Sequence, residues 1–212
     1  MRLALAIVAA VGVVVGWCPE PGMAASPTCL PVDEAARVPD FFSFRARLQT
    51  AVAERNGDAV LAVVDPKIKN GFDAEDGIDA FKRTWRIDEP GSRLWQELGA
   101  LLALGGVFEG TDAFVAPYTF QCDDDAFEGA AVMGANVNVR TGPSADATVI
   151  GSLTFSMVRL AAGFPEREWI EVALDGRKGF VSSRWLRSPI DYRAYFARSH
   201  GRWRMTMLVA GD

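Results

Sequence analysis

The 212-residue sequence predicts an α+β protein: a helical unit with a short antiparallel sheet, and a small all-β barrel inserted in it. Three observations carry this. Apolar residues recur at helical spacing between Phe41 and Leu102. From Ala130 to Leu186 the period drops to two, with turn residues roughly every 8 to 12 positions. A last pair of alternating stretches, 192–198 and 202–210, flanks Ser199-His200-Gly201. Half of the residues are apolar, so the chain can bury a core.

The N-terminus has the form of a signal peptide over residues 1–24. Arg2 supplies a positive charge, Leu3 to Val15 an apolar run, and Pro19, Pro21 and Gly22 break any helix. Gly22-Met23-Ala24 places small residues for cleavage after Ala24 or one position later. A retained anchor is the competing reading. Cys18 is a poor lipoprotein cysteine because Trp17, not a small residue, precedes it. No other stretch is long and apolar enough to span a bilayer. The expected location is therefore periplasmic or extracellular. There Cys29 and Cys122 are expected to pair, the alternative being two free buried thiols.

Residues 27–128 are assigned to the helical domain. Asp40 is the expected cap of a first helix carrying Phe41, Phe44, Leu48 and Val52 on one face. Asn56-Gly57 stops it, Asp58 recaps, and a short second helix runs from Ala59 to Val64 before Asp65-Pro66. Asp76 caps a third, with Ile78, Phe81 and Trp85 on one face. Pro90-Gly91-Ser92 leads into a fourth, with Leu94, Trp95, Leu98, Leu101 and Leu102, closed by Gly105-Gly106. Ala113 to Phe120 alternates and reads as a strand, pushed to an edge or bulge by Pro117.

Residues 129–187 are assigned to the barrel. Val137 and Val139 alternate with asparagines, and Gly142-Pro143 turns the chain. Strands follow at 148–153, at 157–161 before a Phe164-Pro165 turn, and from Trp169 to Leu174. Asp175-Gly176 then makes a hairpin to Gly179-Phe180-Val181. In the C-terminal hairpin Trp203, Met205, Met207 and Val209 share one expected face. Residues 188–212 are assigned to the first domain, whose helices and lone strand need a partner. The competitor is a hairpin that extends the barrel.

Residues of about 130–187 resemble the bacterial SH3-like (SH3b) domain of exported and cell-wall-associated proteins. The resemblance rests on Asn138-Val139-Arg140-Thr141-Gly142-Pro143-Ser144, Val149-Ile150-Gly151-Ser152-Leu153 and Trp169-Ile170-Glu171-Val172. Asp175-Gly176-Arg177-Lys178-Gly179-Phe180-Val181 and Trp185-Leu186 complete it. Phe180 replaces the usual Trp, and Thr154 to Met157 replaces a Lys/Gly-rich turn. The resemblance implies a barrel of five to seven strands and, for cell-wall-binding members, an aromatic groove for a peptide or glycan. Its expected residues are Trp169, Phe180 and Trp185 with Arg140, although Arg140 is better read as fold-defining. The competing reading is that the aromatics only fill the barrel, with Trp169 and Trp185 partly exposed. The remainder, ending in Gly201-Arg202-Trp203-Arg204-Met205-Thr206, is distantly similar to ketosteroid-isomerase-like folds.

The single histidine, His200, falls in a turn, so Ser-His-Asp and Cys-His catalysis cannot be built in their ordinary forms. No Cys/His spacing suits zinc. Asp123-Asp124-Asp125 and the set Asp73, Glu75, Asp76 and Asp79 are conceivable cation ligands but match no calcium loop; solvation and capping explain them. No cofactor is expected. Residues 25–129 carry 10 basic and 19 acidic side chains, residues 130–212 carry 11 and 7, so the halves attract. No dense basic stripe suits nucleic acid. Arg193, Arg198, Arg202 and Arg204 read as a solvated face, or as a contact to wall polymer, lipid headgroup or the protein's own acidic half.

The expected function is a non-catalytic, exported envelope protein that binds peptidoglycan or another envelope protein. A second reading is a small-molecule-binding or isomerase-type domain, with a cavity lined by Trp85, Trp95 and Tyr118 and one buried carboxylate; the barrel would then target it. A third is a structural subunit of an envelope complex.

Overall fold

The computed structural model describes residues 27–122, 127–160, 164, 167–174 and 176–211. The expected signal peptide, Cys18 and Asp123-Asp124-Asp125 lie outside the described residues, as do Pro165 and Asp175 of two expected turns.

The chain is mixed α+β. An extended lead-in and one 3₁₀ turn precede α1 (Pro39–Ala53) and α2 (Gly57–Leu61). β1 (Val64–Lys69), α3 (Ile78–Trp85), α4 (Leu94–Ala103), β2 (Val107–Glu109) and β3 (Ala113–Ala116) follow. A 3₁₀ turn covers Tyr118–Cys122. Then come β4 (Gly129–Val132), β5 (Val137–Arg140), β6 (Val149–Leu153) and β7 (Met157–Arg159). β8 (Trp169–Leu174) and β9 (Arg177–Ser182) lead through a 3₁₀ turn to β10 (Leu186–Arg187). The chain ends in the hairpin β11 (Arg193–Ser199) and β12 (Arg202–Val209).

Helix starts differ from the expected caps. α1 opens at Pro39, whose fixed φ suits a first helical position, after Val38 in extended backbone. Asp40 therefore lies inside the first turn. Its carboxylate accepts hydrogen bonds from Arg198 (3.0 Å) and from the Trp203 indole (3.1 Å) instead of capping. Asn56, not Asp58, caps α2: its side chain accepts from the Ala59 N–H at 3.0 Å. α3 starts after Gly77, and Asp76 faces Lys69 at 3.8 Å.

Two strands lie where the sequence shows breakers. Val64–Lys69 is a strand, not the end of a helix. Val64 and Ile68 are buried while Pro66 and Lys67 are exposed on a sheet edge, where a missing N–H is tolerated. Gly105-Gly106 does not simply end α4 but delivers the chain into β2. A Cβ on Gly106 would lie 2.1 Å from the Val115 carbonyl oxygen, so only glycine lets the backbones approach there. The strand expected over 113–120 stops at Ala116, because Pro117 and the turn after it leave the ladder.

The larger sheet has the order β1-β12-β11-β3-β2. β1 runs parallel to β12, and the other pairs are antiparallel. Its inner face packs Phe114, Ala194, Phe196, Trp203, Met205 and Leu208 against Phe41, Phe44, Leu48, Leu94, Leu98 and Leu101 of the helices. Phe41 is fully buried, with its ring 4.3 Å from that of Phe114 and 4.7 Å from that of Trp203. The hairpin's expected apolar face is corrected by a bulge. Tyr195 pairs with Met207 but Phe196 with Met205, so Thr206 is the extra residue and the alternation changes phase. Leu208 enters the core, and Met207 is left half-buried on the other side.

Residues 129–187 form two smaller sheets, β10-β4-β7 and β6-β5-β9-β8. They share one core of Val132, Val137, Val139, Leu153, Ile170, Val172 and Val181, among others. Neither closes into the expected barrel. β7 is three residues long and β10 two, so their ladders end before the sheets could join around the core. Among the described residues a Leu160–Val172 bridge crosses between them.

The lead-in segment ties the two parts. Thr28 bridges Ser156, the Cys29 N–H donates to the Phe155 carbonyl at 2.6 Å, and the Met157 N–H donates to that of Pro27 at 2.8 Å. Cys29 and Cys122 form a disulfide with Cα atoms 5.3 Å apart, and buried Cys29 packs with Tyr118, Ala131 and Met157. Further on, Asp33 receives both terminal nitrogens of the buried Arg45, at 2.7 and 2.6 Å. Partial burial works to raise the Asp33 carboxyl. The Arg45 hydrogen bonds, the Ala35 N–H and the Arg45 charge outweigh it, so its pKa lies below the usual carboxylate value. The stability from this pair is thus complete above about pH 4 and is lost as pH falls through the lowered folded pKa. Melting temperatures from pH 2 to 6 are expected to fall more steeply for the wild type than for Asp33→Asn, and equal slopes would refute this linkage.

Candidate binding site

The site is built on the outer face of β5 and the ends of β8 and β9. In Asn136-Val137-Asn138-Val139 the valines point into the core, which leaves Asn138 exposed on the other side of the strand. Asn136 sits at φ 54°, in the left-handed region that asparagine tolerates better than most residues, and its N–H donates to Thr154 Oγ1 at 2.8 Å. Trp169 opens β8 opposite Ser182 of β9. The Ser183 N–H donates to the Glu168 carbonyl at 2.8 Å, which turns the chain through Ser183–Trp185 and brings Trp185 back beside Gly134. A Cβ on Gly134 would lie 3.1 Å from two ring carbons of Trp185, so a bare backbone supports this indole.

These elements enclose a surface cleft of about 420 Å³. Its walls are Trp169, Trp185, Arg140, Asn136, Asn138, Glu168, Ser182, Ser183 and Arg184. Trp169 is half-buried and Trp185 is 39% exposed, with the Arg184 guanidinium 5.4 Å from the Trp185 ring centre. Three of the four residues expected in a groove are thus brought together from well-separated parts of the sequence. Arg140 also donates to the Ala147 carbonyl at 2.7 Å and so holds the turn after β5. Phe180 is not a wall of the cleft. It pairs with Arg140 across the sheet and lies beneath Lys178, whose nitrogen is 5.3 Å from the ring centre and 2.6 Å from Glu171.

Nothing in the sequence marks Asn136, Asn138, Glu168, Ser182, Ser183 or Arg184 as walls of a cleft. The alternation shows that the asparagines face outward, but an outward polar residue looks the same in a cleft as in bulk solvent. Two indole faces flanked by amide, hydroxyl, carboxylate and guanidinium groups can stack on a sugar or proline ring and hydrogen-bond a peptide or glycan.

The other expected positions are dispersed. Trp85 and Trp95 are packed into the main core, whereas Tyr118 lies in the cluster around the disulfide. No Asp or Glu is buried among the described residues. Of the acidic set after β1, Glu75 pairs with Arg83 and Asp76 with Lys69. Among the described residues no group of three His, Cys, Asp or Glu side chains is placed to hold a metal ion. Arg198 joins Asp40 and Asp112, so this hairpin arginine does meet the acidic half. Arg193 is buried against the carbonyls of Pro189 and Gly211. His200 and Gly201, at φ 52° and 74°, form the two-residue turn of the hairpin. No described helix is long and apolar enough to cross a membrane. No protein-family model matches the chain, and no curated protein matches it.

Proposed function

We propose that this is an exported, non-catalytic envelope protein whose β unit is an SH3-like domain inserted between β3 and β11 of a small α+β domain. Its ligand is a cell-wall polymer or an envelope protein, held in the cleft between Trp169 and Trp185. The observation that carries this reading is the convergence of two partly exposed indoles and Arg140 on one polar-rimmed cleft. The seven strands of residues 129–187 around one core agree with the resemblance, as does the interruption of the larger sheet between β3 and β11. The disulfide is compatible with export.

Pull-down on purified peptidoglycan tests the reading. Wild-type protein is expected to be retained, and Trp169→Ala or Trp185→Ala to weaken retention by about tenfold or more, as for a central aromatic anchor. Absence of retention, or retention indifferent to both substitutions, refutes peptidoglycan as the ligand of this cleft. No observation favours the isomerase-type alternative: its three aromatic residues sit in two separate packed clusters.

A further inference from the structure

We propose a second binding site, for a phosphate group, in the cleft of about 610 Å³ between the edge strand β1 and the β11–β12 turn. It is independent of the Trp169–Trp185 cleft. Lys67 of β1 and Arg202 and Arg204 of β12 line it, together with Ser199, His200 and Asp65.

This cleft gathers three cations that lack carboxylate partners among the described residues. Elsewhere in the α+β unit many basic side chains meet carboxylates: Arg45 meets Asp33, Arg83 meets Glu75, Arg93 meets Glu97, and Arg198 meets Asp40 and Asp112. Those without such a partner, among them Arg55 on the Pro90 carbonyl and Arg193 on the Pro189 and Gly211 carbonyls, do not line this cleft. Residues 25–129 hold 19 acidic side chains to supply such partners. Yet Lys67, Arg202 and Arg204 form no ion pair with any described residue. Arg202 and Arg204 sit two residues apart on one face of β12, where like charges repel unless an anion lies between them. The single carboxylate of the cleft, Asp65, accepts the backbone N–H of Lys67 at 2.8 Å and offsets only one of the three positive charges, so the lining stays net positive.

The chemistry of the lining selects the ligand. Two guanidinium groups and an ammonium are donors, while the Ser199 hydroxyl is already bonded to His200 Nδ1 at 2.9 Å, so the partner must be rich in acceptor oxygens. Two planar forks beside a point charge match a phosphate, with three free oxygens and up to two negative charges, better than a lone carboxylate. Arg204 is held in place by its bond to the Val64 carbonyl at 3.2 Å. The space exceeds one phosphate, so the group is carried on a larger molecule: a soluble phosphate ester or a lipid headgroup.

The disulfide-bonded protein, 15N-labelled, would be titrated with inorganic phosphate against chloride at equal ionic strength. Sedimentation with phosphatidylglycerol vesicles, and with phosphatidylcholine vesicles as control, forms the second arm. Saturable shifts at residues 65–67 and 199–204, weakened tenfold or more in Lys67→Ala with Arg202→Ala, are the expected result. Both substituted side chains are exposed, so an unchanged near-UV spectrum should confirm the fold. Phosphate shifts without vesicle retention assign a soluble ester. Selective retention on phosphatidylglycerol that the double substitution abolishes assigns a headgroup. Neither shifts nor selective retention, or either one unchanged by the double substitution, overturns the site.

Discussion

Deleting residues 188–212 is expected to unfold the helices, far from the cut in sequence. The hairpin contributes Ala194, Phe196, Trp203, Met205 and Leu208 to the core that α1 and α4 cover. Full burial of a large apolar side chain contributes about 1.5–3 kcal/mol, so the four large ones together represent roughly 6–12 kcal/mol, an upper bound for a real unfolded chain. That is comparable to the whole stability of a typical domain, about 5–15 kcal/mol. The backbone suffers as well. Among the described residues β1 has β12 as its only sheet neighbour, and β3 would keep only the three-residue β2. Asp40 and Asp112 would lose Arg198. The truncated protein is expected to lose near-UV signal and cooperative melting. If the helices still melt cooperatively with the Cys29–Cys122 bond formed, the α+β unit does not need its C-terminal hairpin and the proposed insertion fails.

How far these features can be read from the sequence depends on whether the signal is local. α1 and α4 are legible because Phe41, Phe44 and Leu48, and Leu94, Leu98 and Leu101, repeat the helical period. β5, β8 and β9 are legible because period-two alternation ends in turn residues there. β1 is not: Asp65-Pro66 is a sound stop signal, and only parallel pairing with β12, near the other end of the chain, makes the segment a strand. The bulge at Thr206 is equally hidden: β12 alternates from Arg202 to Met207, the apolar run Met207-Leu208-Val209 fits either phase, and the phase changes only against Tyr195-Phe196. Asp40 illustrates a third limit. It fits a cap by residue type, but the Arg198 and Trp203 that claim its carboxylate lie at the far end of the chain. In the candidate site, the indoles stand out because large aromatics are conspicuous in an alternating strand. Asn136, Asn138 and Ser183 become visible only when the walls of the cleft have been placed.

Replacing Cys29 and Cys122 together by serine is expected to lower stability by about 4 kcal/mol in the chain-entropy account. The two residues are 93 apart in sequence, so the bond removes a large loop's freedom from the unfolded chain. The folded state loses something too. Cys29 is 1% exposed against Tyr118, Ala131 and Met157, and a serine hydroxyl there would be buried in an apolar cluster. With a urea m-value of about 2 kcal/mol/M, the midpoint should fall by about 2 M. Reductant should produce a similar fall in the wild type and leave the double variant unmoved, which separates the bond itself from damage by the serines. The bond also fastens the end of the 3₁₀ turn after β3 to a lead-in that hydrogen-bonds to Phe155 and Met157 of the β unit. Without it, the lead-in meets the β unit through those backbone bonds and the packing around residue 29, and the two units lose a covalent constraint on how they meet. Single-probe melts should then diverge, Trp169 and Trp185 reporting the β unit and Trp85 and Trp95 the helices. Coincident melts in the variant would mean that the buried contacts of Tyr118, Ala131 and Met157 suffice to couple them.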